Sequence, residues 1–328
     1  MSLNNEVLPG VSVILPILNE ERDLAESIGA ILQQDYPSQF EVILALGPSK
    51  DRTNEIANSL AKKDPRVILV ENPTGRTANG LNLAIAKSKY PIISRIDGHA
   101  EISDTYLKDA VQILLATKAV NVGGIMAAVG KSKFEKAVAT AMRSRIGVGS
   151  SRFHIGGLAG PSDTVYLGTF LKSALVDAGG YDERFTRAQD WELNYRLREQ
   201  GGIVWFDPKL VVSYRPRSSI RTLAKQYFQY GTWRRAVTRQ HEGTVNFRYL
   251  APPLMVTVLI LSTLGALTLT PLFFAVDIGY LLLIVVASLL IGKSLAEKLI
   301  LPSVLITMHL VWGTGFILSP KGLIAEEE

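Results

Sequence analysis

An aspartate and a histidine two residues apart, Asp97 and His99, follow the apolar run Tyr90-Pro91-Ile92-Ile93. That run reads as a buried strand, and ligands bind at the carboxyl ends of strands in open α/β sheets. One intervening residue lets both side chains turn to the same side of an extended segment. Carboxylate and imidazole together can hold one divalent cation, and imidazole suits Mn2+ better than Mg2+. Taken alone, such a pair is more often a solvated loop. Asp190 opens an amphipathic stretch with Leu193 and Leu197 on one side and Arg196 and Arg198 on the other. A carboxylate there either complements the helix dipole or, held on a rigid element, takes a proton from a hydroxyl. His154 is a rival for that proton, but its Gly- and Ser-rich surroundings place a base poorly. Arg76, in a Gly-containing loop, is either a solvated cation or a phosphate contact.

These residues need a frame, and the hydrophobic pattern supplies one. Short apolar runs at residues 11–16, 40–46, 66–70 and 90–93 alternate with helical patterns at 24–32 and 54–62 and, after a loop at 72–77, through Leu81, Leu83, Ala84 and Ile85. Strands alternating with helices imply a parallel, doubly wound α/β sheet. Pro16, Asn19, Glu20 and Asp51 fall just after the first two strands, where they line a cleft or cap the following helices. No G-x-G-x-x-G follows the first strand, so the dinucleotide fingerprint is missing. Beyond residue 120 the pattern suggests a strand at 122–126, a helix at 133–145, a mobile loop at 147–160, a strand at 164–167 and a short helix at 172–177.

The motifs in this order resemble the family 2 glycosyltransferases, whose domain has the Rossmann-like GT-A fold. Val13-Ile14-Leu15-Pro16-Ile17-Leu18-Asn19-Glu20, Ser49-Lys50-Asp51-Arg52-Thr53 and Gly75-Arg76-Thr77-Ala78-Asn79-Gly80 carry the likeness. So do Asp97-Gly98-His99, Gly179-Gly180-Tyr181-Asp182-Glu183-Arg184-Phe185 and Gln189-Asp190-Trp191. The chain looks most similar to succinoglycan-type exopolysaccharide glucosyltransferases, which also have Asp-x-His and a stretch like Asp163-Thr164-Val165-Tyr166.

The resemblance implies an inverting hexosyltransferase that uses a nucleotide-sugar donor. It puts Pro16, Asn19, Glu20, Asp51, Arg76 and Asp97 on the donor, Asp97 and His99 on Mn2+ or Mg2+, and Asp190 in the role of base. Asp163, Gln189 and Trp191 fall on the acceptor side. Gln226, Trp233 and Arg234 loosely resemble an acceptor motif of processive relatives in a different order, which implies a non-processive enzyme. Two positions depart from the family. Leu46 and Gly47 stand where relatives have an Asp-Asp pair that contacts the base, and Gln189 replaces the acidic neighbour of Asp190.

Composition divides the 328 residues into an ordinary globular part, residues 1–214, and a strongly apolar end. No cysteine is present, which excludes disulfides and thiolate metal sites. The N-terminal residues Met1–Glu6 lack a basic stretch followed by an apolar core and are not expected to be a secretory signal. Seven basic and no acidic residues lie between Arg215 and Arg239, interleaved with Tyr227, Phe228, Tyr230 and Trp233. A basic aromatic block beside an apolar end favours a membrane surface over nucleic acid.

Residues 215–248 are therefore expected to form a basic interfacial segment, with aromatics inward and arginines toward lipid. Residues 249–328 are expected to hold three transmembrane helices, at 251–270, 272–292 and 299–318. The cationic block and Lys293 and Lys298 place the first domain in the cytoplasm. Glu326, Glu327 and Glu328 then fall outside. The expected protein is a multi-pass enzyme of the inner membrane that acts on a lipid-linked or polysaccharide acceptor. A different reading is a membrane scaffold or transporter subunit that binds nucleotide sugar without transferring it.

Overall fold

The computed structural model describes residues 7–324, so the Met1–Glu6 stretch and Glu326, Glu327 and Glu328 lie outside the described residues. The chain forms two compact units, residues 1–127 with 156–214, and residues 128–155 with 215–328.

In chain order the first unit begins β1 (Val11–Ile17), α1 (Leu24–Leu32), β2 (Phe40–Leu46), α2 (Thr53–Lys63), β3 (Val67–Glu71), α3 (Thr77–Lys87) and β4 (Ile92–Arg95). It continues with β5 (Glu101–Ile102), α4 (Tyr106–Thr117) and β6 (Asn121–Ala128). After α5 (Lys133–Met142), α6 (Arg145–Val148) and α7 (Arg152–Ile155) of the second unit come β7 (Gly160–Pro161), β8 (Tyr166–Leu171), α8 (Lys172–Asp177), α9 (Gln189–Glu199) and β9 (Val204–Tyr214). The sheet order is β3-β2-β1-β4-β8-β6-β9-β5, with β7 also pairing β9.

Strands β1 to β4 are parallel, as the alternating pattern requires. Val13 and Leu15 pack with Ile28 and Ile31 of α1 and with Leu107 and Val111 of α4, while Ile14 and Ile43 on the other face are also fully buried. Burial on both faces explains why these strands read as continuous apolar runs. Each such side chain contributes about 1.5–3 kcal/mol of burial.

Beyond the four parallel strands the sheet is mixed. β8 runs antiparallel to β4 and β6, and β9 runs antiparallel to β5 and β7. β9 escaped the sequence reading because Asp207, Pro208 and Lys209 interrupt its alternating burial, and an internal proline argues against a central strand.

In the second unit, α5 starts at a reciprocal cap. Ser132 Oγ accepts from Glu135 N at 3.1 Å, and Glu135 Oε2 accepts from Ser132 N at 2.8 Å. The expected loop at 147–160 holds the short helices α6 and α7 and the start of the sheet segment β7, because Ser144 caps α6 through its hydroxyl. α10 (Ile220–Gln240) follows, capped by Ser219. Then come α11 (Phe247–Thr268), α12 (Phe274–Ile291), α13 (Leu295–Ile306), a π-helical turn at Thr307–Val311, and α14 (Trp312–Ile317).

Three helical stretches, Phe247–Thr268, Pro271–Ile291 and Leu295–Ile317, are long and apolar enough to cross a membrane. The third begins four residues earlier than expected, since Ser294 caps it. Lys298 therefore lies inside that helix rather than in a connection. Glu297 is buried there and accepts from Thr140 Oγ1 at 2.8 Å, which ties α5 to α13 and groups residues 128–155 with the C-terminal helices. The arginines of α10 do not all face outward as expected. Arg235 lies over the Phe316 ring at 5.1 Å, and Arg239 donates to the Pro320 carbonyl at 2.7 Å.

Candidate active site

The site is built at the carboxyl ends of β1, β2 and β4. The loops after β1 and β2 are cross-linked by their own polar groups. Asn19 N donates to Ser49 Oγ at 3.0 Å, and Lys50 N donates to Asn19 Oδ1 at 2.8 Å. Glu20 N donates to Thr53 Oγ1 at 2.7 Å, and Glu21 N donates to Asp51 Oδ2 at 3.2 Å. Asn19 adopts a left-handed backbone, φ 57°, which lets the loop turn back across the strand ends. Neither Asn19 nor Glu20 caps the first helix, since Asp23 holds that position. The Thr53 hydrogen bond holds the Asp51 carboxyl below its ordinary range. Pro16 stays within the sheet, in register with Ala45.

Asp97 and His99 follow β4 as the spacing predicts. His99 Nδ1 lies 2.9 Å from Glu20 Oε1. This hydrogen bond raises the imidazole pKa against partial burial, and the charges of Glu20, Asp97 and Asp23 add to the effect. A carboxylate on one ring nitrogen fixes the tautomer and leaves the other to a ligand. Gly98 between them is closely packed: a Cβ there would stand 2.8 Å from Ile17 Cδ1 and 3.2 Å from Glu20 Cγ, so those side chains would have to shift.

The centre of the site is a residue that the motifs did not single out. Arg95, the last residue of β4, is 4% exposed. Its Nη1 donates to Asp190 Oδ1 at the start of α9, and its Nη2 donates to Asp97 Oδ1 at 3.3 Å. The guanidinium carbon also lies 5.8 Å from the centre of the buried Tyr181 ring. Burial opposes the Arg95 charge, but Asp190 and Asp97 hold its pKa well above the ordinary value. Burial raises the Asp190 carboxyl above its ordinary range, with the Asp97 charge adding and Arg95 opposing. A charged residue ending a buried strand, two before Asp97, was the available signal for Arg95, since buried charges are retained only with partners.

The turn before α9 is fastened to α3. Asn82 Nδ2 donates to Tyr181 O, and Tyr181 N donates to Asn82 Oδ1, both at 2.8 Å. Asn82 also donates to Glu183 Oε1 at 2.9 Å, and Asn79 donates to Glu183 Oε2. Arg76 occupies the exposed cap position at the start of that helix. Ala188, immediately before α9, has a left-handed φ of 62°, a costly conformation for a residue with a Cβ. Gln189 and Trp191 are buried, and Trp191 stacks on Tyr195 with centroids 5.8 Å apart. Asp163 is exposed after β7, its side chain 3.5 Å from Ser162 Oγ.

Gln226, Trp233 and Arg234 belong to α10 of the second unit; Gln226 Nε2 donates there to Tyr230 Oη at 2.8 Å. His154 also belongs to the second unit, where burial and then the Arg248 charge lower its pKa to about 3. Among the described residues no three His, Asp or Glu side chains converge as a complete metal cage.

The sheet is thus a parallel α/β sheet extended by antiparallel strands, with carboxylate, imidazole and guanidinium groups at its strand ends. The profile of the Glycosyl transferase family 2 domain matches residues 12–175, and the chain belongs to that family. It is a glycosyltransferase with a GT-A-like fold.

The chain is 34% identical over 244 residues to the succinoglycan biosynthesis protein ExoA of Rhizobium meliloti (strain 1021), covering 73% of this chain and 73% of that protein. It is 25% identical over 251 residues to a dolichyl N-acetyl-alpha-D-glucosaminyl phosphate 3-beta-D-2,3-diacetamido-2,3-dideoxy-beta-D-glucuronosyltransferase of Methanococcus voltae, covering 74% of this chain and 77% of that protein. In fold it is similar to the mannosyltransferase PcManGT from Pyrobaculum calidifontis, solved in complex with GDP-Man and Mn2+. The TM-score is 0.58 at 19% identity, over 98% of this chain and 88% of that one.

Proposed function

We propose that this chain is a membrane-anchored, inverting hexosyltransferase of polysaccharide or glycoconjugate synthesis. It takes a nucleotide-sugar donor on the cytoplasmic side and glycosylates a lipid-linked or growing-polysaccharide acceptor. The observation that carries this reading is the Asp97–Arg95–Asp190 bridge. It holds two carboxylates around one buried cation, and we read Asp97 as the donor-side one and Asp190 as the acceptor-side one. Support also comes from the family and from the three apolar helices.

The residues divide the work. Asn19, Glu20 and Asp51 shape the nucleotide end of the cleft through their cross-linked loops. Arg76, exposed at the start of α3, meets the donor phosphates. Asp190 accepts the proton of the attacking hydroxyl, and a carboxylate with a raised pKa does so more readily. Attack from the face opposite the leaving diphosphate inverts the anomeric centre, so an α-linked donor gives a β-linked product. Arg95 holds Asp190 in place and compensates its charge until the proton arrives.

A divalent cation fits Asp97 and His99, because Glu20 occupies only Nδ1 and leaves His99 Nε2 without a hydrogen-bond partner among the described residues. A bound Mn2+ or Mg2+ would supply charge stabilisation for the leaving diphosphate. Donor oxygens would complete its coordination.

The test is nucleoside diphosphate release when the full chain in membranes receives a panel of nucleotide sugars, with product anomers read by NMR. Acceptor-dependent release with inversion is expected. Donor binding with no release under any acceptor would make the chain a scaffold.

A further inference from the structure

We infer that the second unit carries a binding site for the phosphate of a lipid headgroup, formed by Arg234, Arg248 and Tyr249 with Ser151 and His154. Arg248 and Tyr249 lie in the first turn of α11, which Asn246 caps by accepting from Tyr249 N at 3.3 Å. The positive end of a 22-residue helix therefore faces this point. Arg234 comes from α10, with its guanidinium carbon 4.1 Å from the centre of the Tyr249 ring; that of Arg248 lies 5.0 Å from the same centre. Two cations thus share one ring, and among the described residues no carboxylate forms an ion pair with Arg248.

The α6–α7 segment closes on this cluster. A Cβ on Gly149 would lie 3.2 Å from Arg248 Cγ, so the backbone there runs against the Arg248 stem. His154 is close enough for the Arg248 charge, after burial, to oppose its protonation. His309 Nε2, 2.7 Å from the Ile146 carbonyl, ties the segment to the third apolar helix.

Within this cluster the Tyr249 hydroxyl, the Ser151 hydroxyl and His154 Nδ1 are buried with no hydrogen-bond partner. Tyr249 is 4% exposed and Ser151 2%. Buried polar atoms are nearly always satisfied. Three unpartnered polar atoms beside two arginines suit an anion with several acceptor oxygens. Guanidinium forks match phosphate geometry.

The lipid assignment follows from where the cluster stands, and it rests on reading the apolar helices as membrane spans. Arg248 and Tyr249 begin such a helix, and Phe247 beside them is 78% exposed. Tyrosine and cationic side chains at the ends of spans lie at headgroup level. A phosphate carried there on an apolar tail meets the arginines while its chains lie along α11.

The experiment uses the purified full chain in a nonionic detergent, without donor. The probes are dioctanoyl phosphatidic acid, dioctanoyl phosphatidylcholine and inorganic pyrophosphate, each titrated by native mass spectrometry or thermal shift. The phosphate monoester should bind tightest. Arg248→Gln should weaken it by about tenfold or more, the factor carried by one hydrogen bond to a charged group. Arg221→Gln, an exposed cation on α10 outside the cluster, should leave binding unchanged.

Tyr249→Phe keeps the ring and deletes an unpartnered hydroxyl. It should preserve the melting temperature while weakening the lipid severalfold. An equal loss from Arg221→Gln would reduce the effect to net charge and overturn the site. Pyrophosphate or phosphatidylcholine binding as tightly as phosphatidic acid would overturn the lipid assignment. Donor turnover, measured separately, bears on the transferase reading: lipid-phosphate binding that survives when turnover is absent would count against that reading and leave this one standing.

Discussion

The Arg95 guanidinium donates to the Asp190 carboxylate, joining the end of β4 to the first turn of α9 across 95 residues of sequence. The same group donates to Asp97 at 3.3 Å. Removing its charge leaves two carboxylates facing one another with nothing between them. Breaking a buried ion pair by deleting one partner costs about 3–5 kcal/mol. Arg95→Gln should therefore lower the denaturation midpoint as well as turnover. Arg95→Lys, which keeps the charge but loses the planar fork, should fall between it and the parent. An Arg95→Gln protein with the parent's urea midpoint would show that the bridge does not hold the site.

The chemical step gives a second expectation. Asp190→Asn removes the proton acceptor and keeps the shape, so turnover should fall by about 10²–10⁴-fold. Donor affinity should barely change, since the residue acts on the acceptor. The pH dependence has a defined sign. Burial, with the Asp97 charge, raises the Asp190 pKa, so activity should fall on the acid side at a pH above that of an ordinary aspartate. The contribution to stability runs the other way. A raised folded pKa favours the fold fully below the unfolded value, and that contribution is lost as pH rises through the folded value. A pH–rate profile with no acid limb above the ordinary carboxylate range would remove the base role.

The parallel half of the sheet was legible because β1, β2 and β4 are buried on both faces and therefore read as apolar runs. The positions of Asp97 and His99 after a strand, and of Asp190 in the first turn of a helix, were legible because their motifs end strands or open helices. Arg95 was not, since its importance lies in meeting Asp190 from another part of the chain, and no local spacing encodes that. β9 was hidden by Pro208, and the grouping of residues 128–155 with the C-terminal helices by long-range bonds such as Thr140 to Glu297. The ties of Asn82 to the 181–183 turn are equally non-local.

The Glu20–His99 contact makes a third expectation, on metal. A carboxylate that orients a ligating imidazole typically contributes 10–100-fold in metal affinity, on the order measured at other sites. Glu20→Ala should weaken Mn2+ binding in the presence of nucleoside diphosphate by about that factor. Glu20→Gln, whose amide oxygen can still accept from Nδ1, should lose less. Electron paramagnetic resonance of free Mn2+ reads the affinity directly, apart from turnover. Identical titrations for parent and Glu20→Ala would mean that His99 is not a ligand, or is oriented without Glu20.

The last expectation concerns how the base is placed. Asn82 spans the peptide of Tyr181 with one donated and one accepted hydrogen bond, each 2.8 Å. Gly180, at φ 71°, comes so close that a Cβ would stand 2.7 Å from Asn82 Oδ1. Asn82 of α3, the helix that begins at Arg76, therefore helps set the turn carrying Tyr181, alongside Asn79 on Glu183 and Arg196 on the Gly180 carbonyl. Asn82→Leu leaves the Tyr181 N–H and C=O without those partners, and each unsatisfied buried group costs about 1–3 kcal/mol. The turn should shift, and with it Tyr181 beside Arg95 and the start of α9. A misplacement of about 1 Å in a reacting group can cost on the order of a hundredfold in rate. Asn82→Leu should thus lower kcat well beyond any change in the KM for donor, even at temperatures where the protein remains folded. Asn82→Asp, which still accepts from Tyr181 N, should recover part of that loss. An Asn82→Leu enzyme with normal kcat would mean that Asp190 is placed by α9 and Arg95 alone.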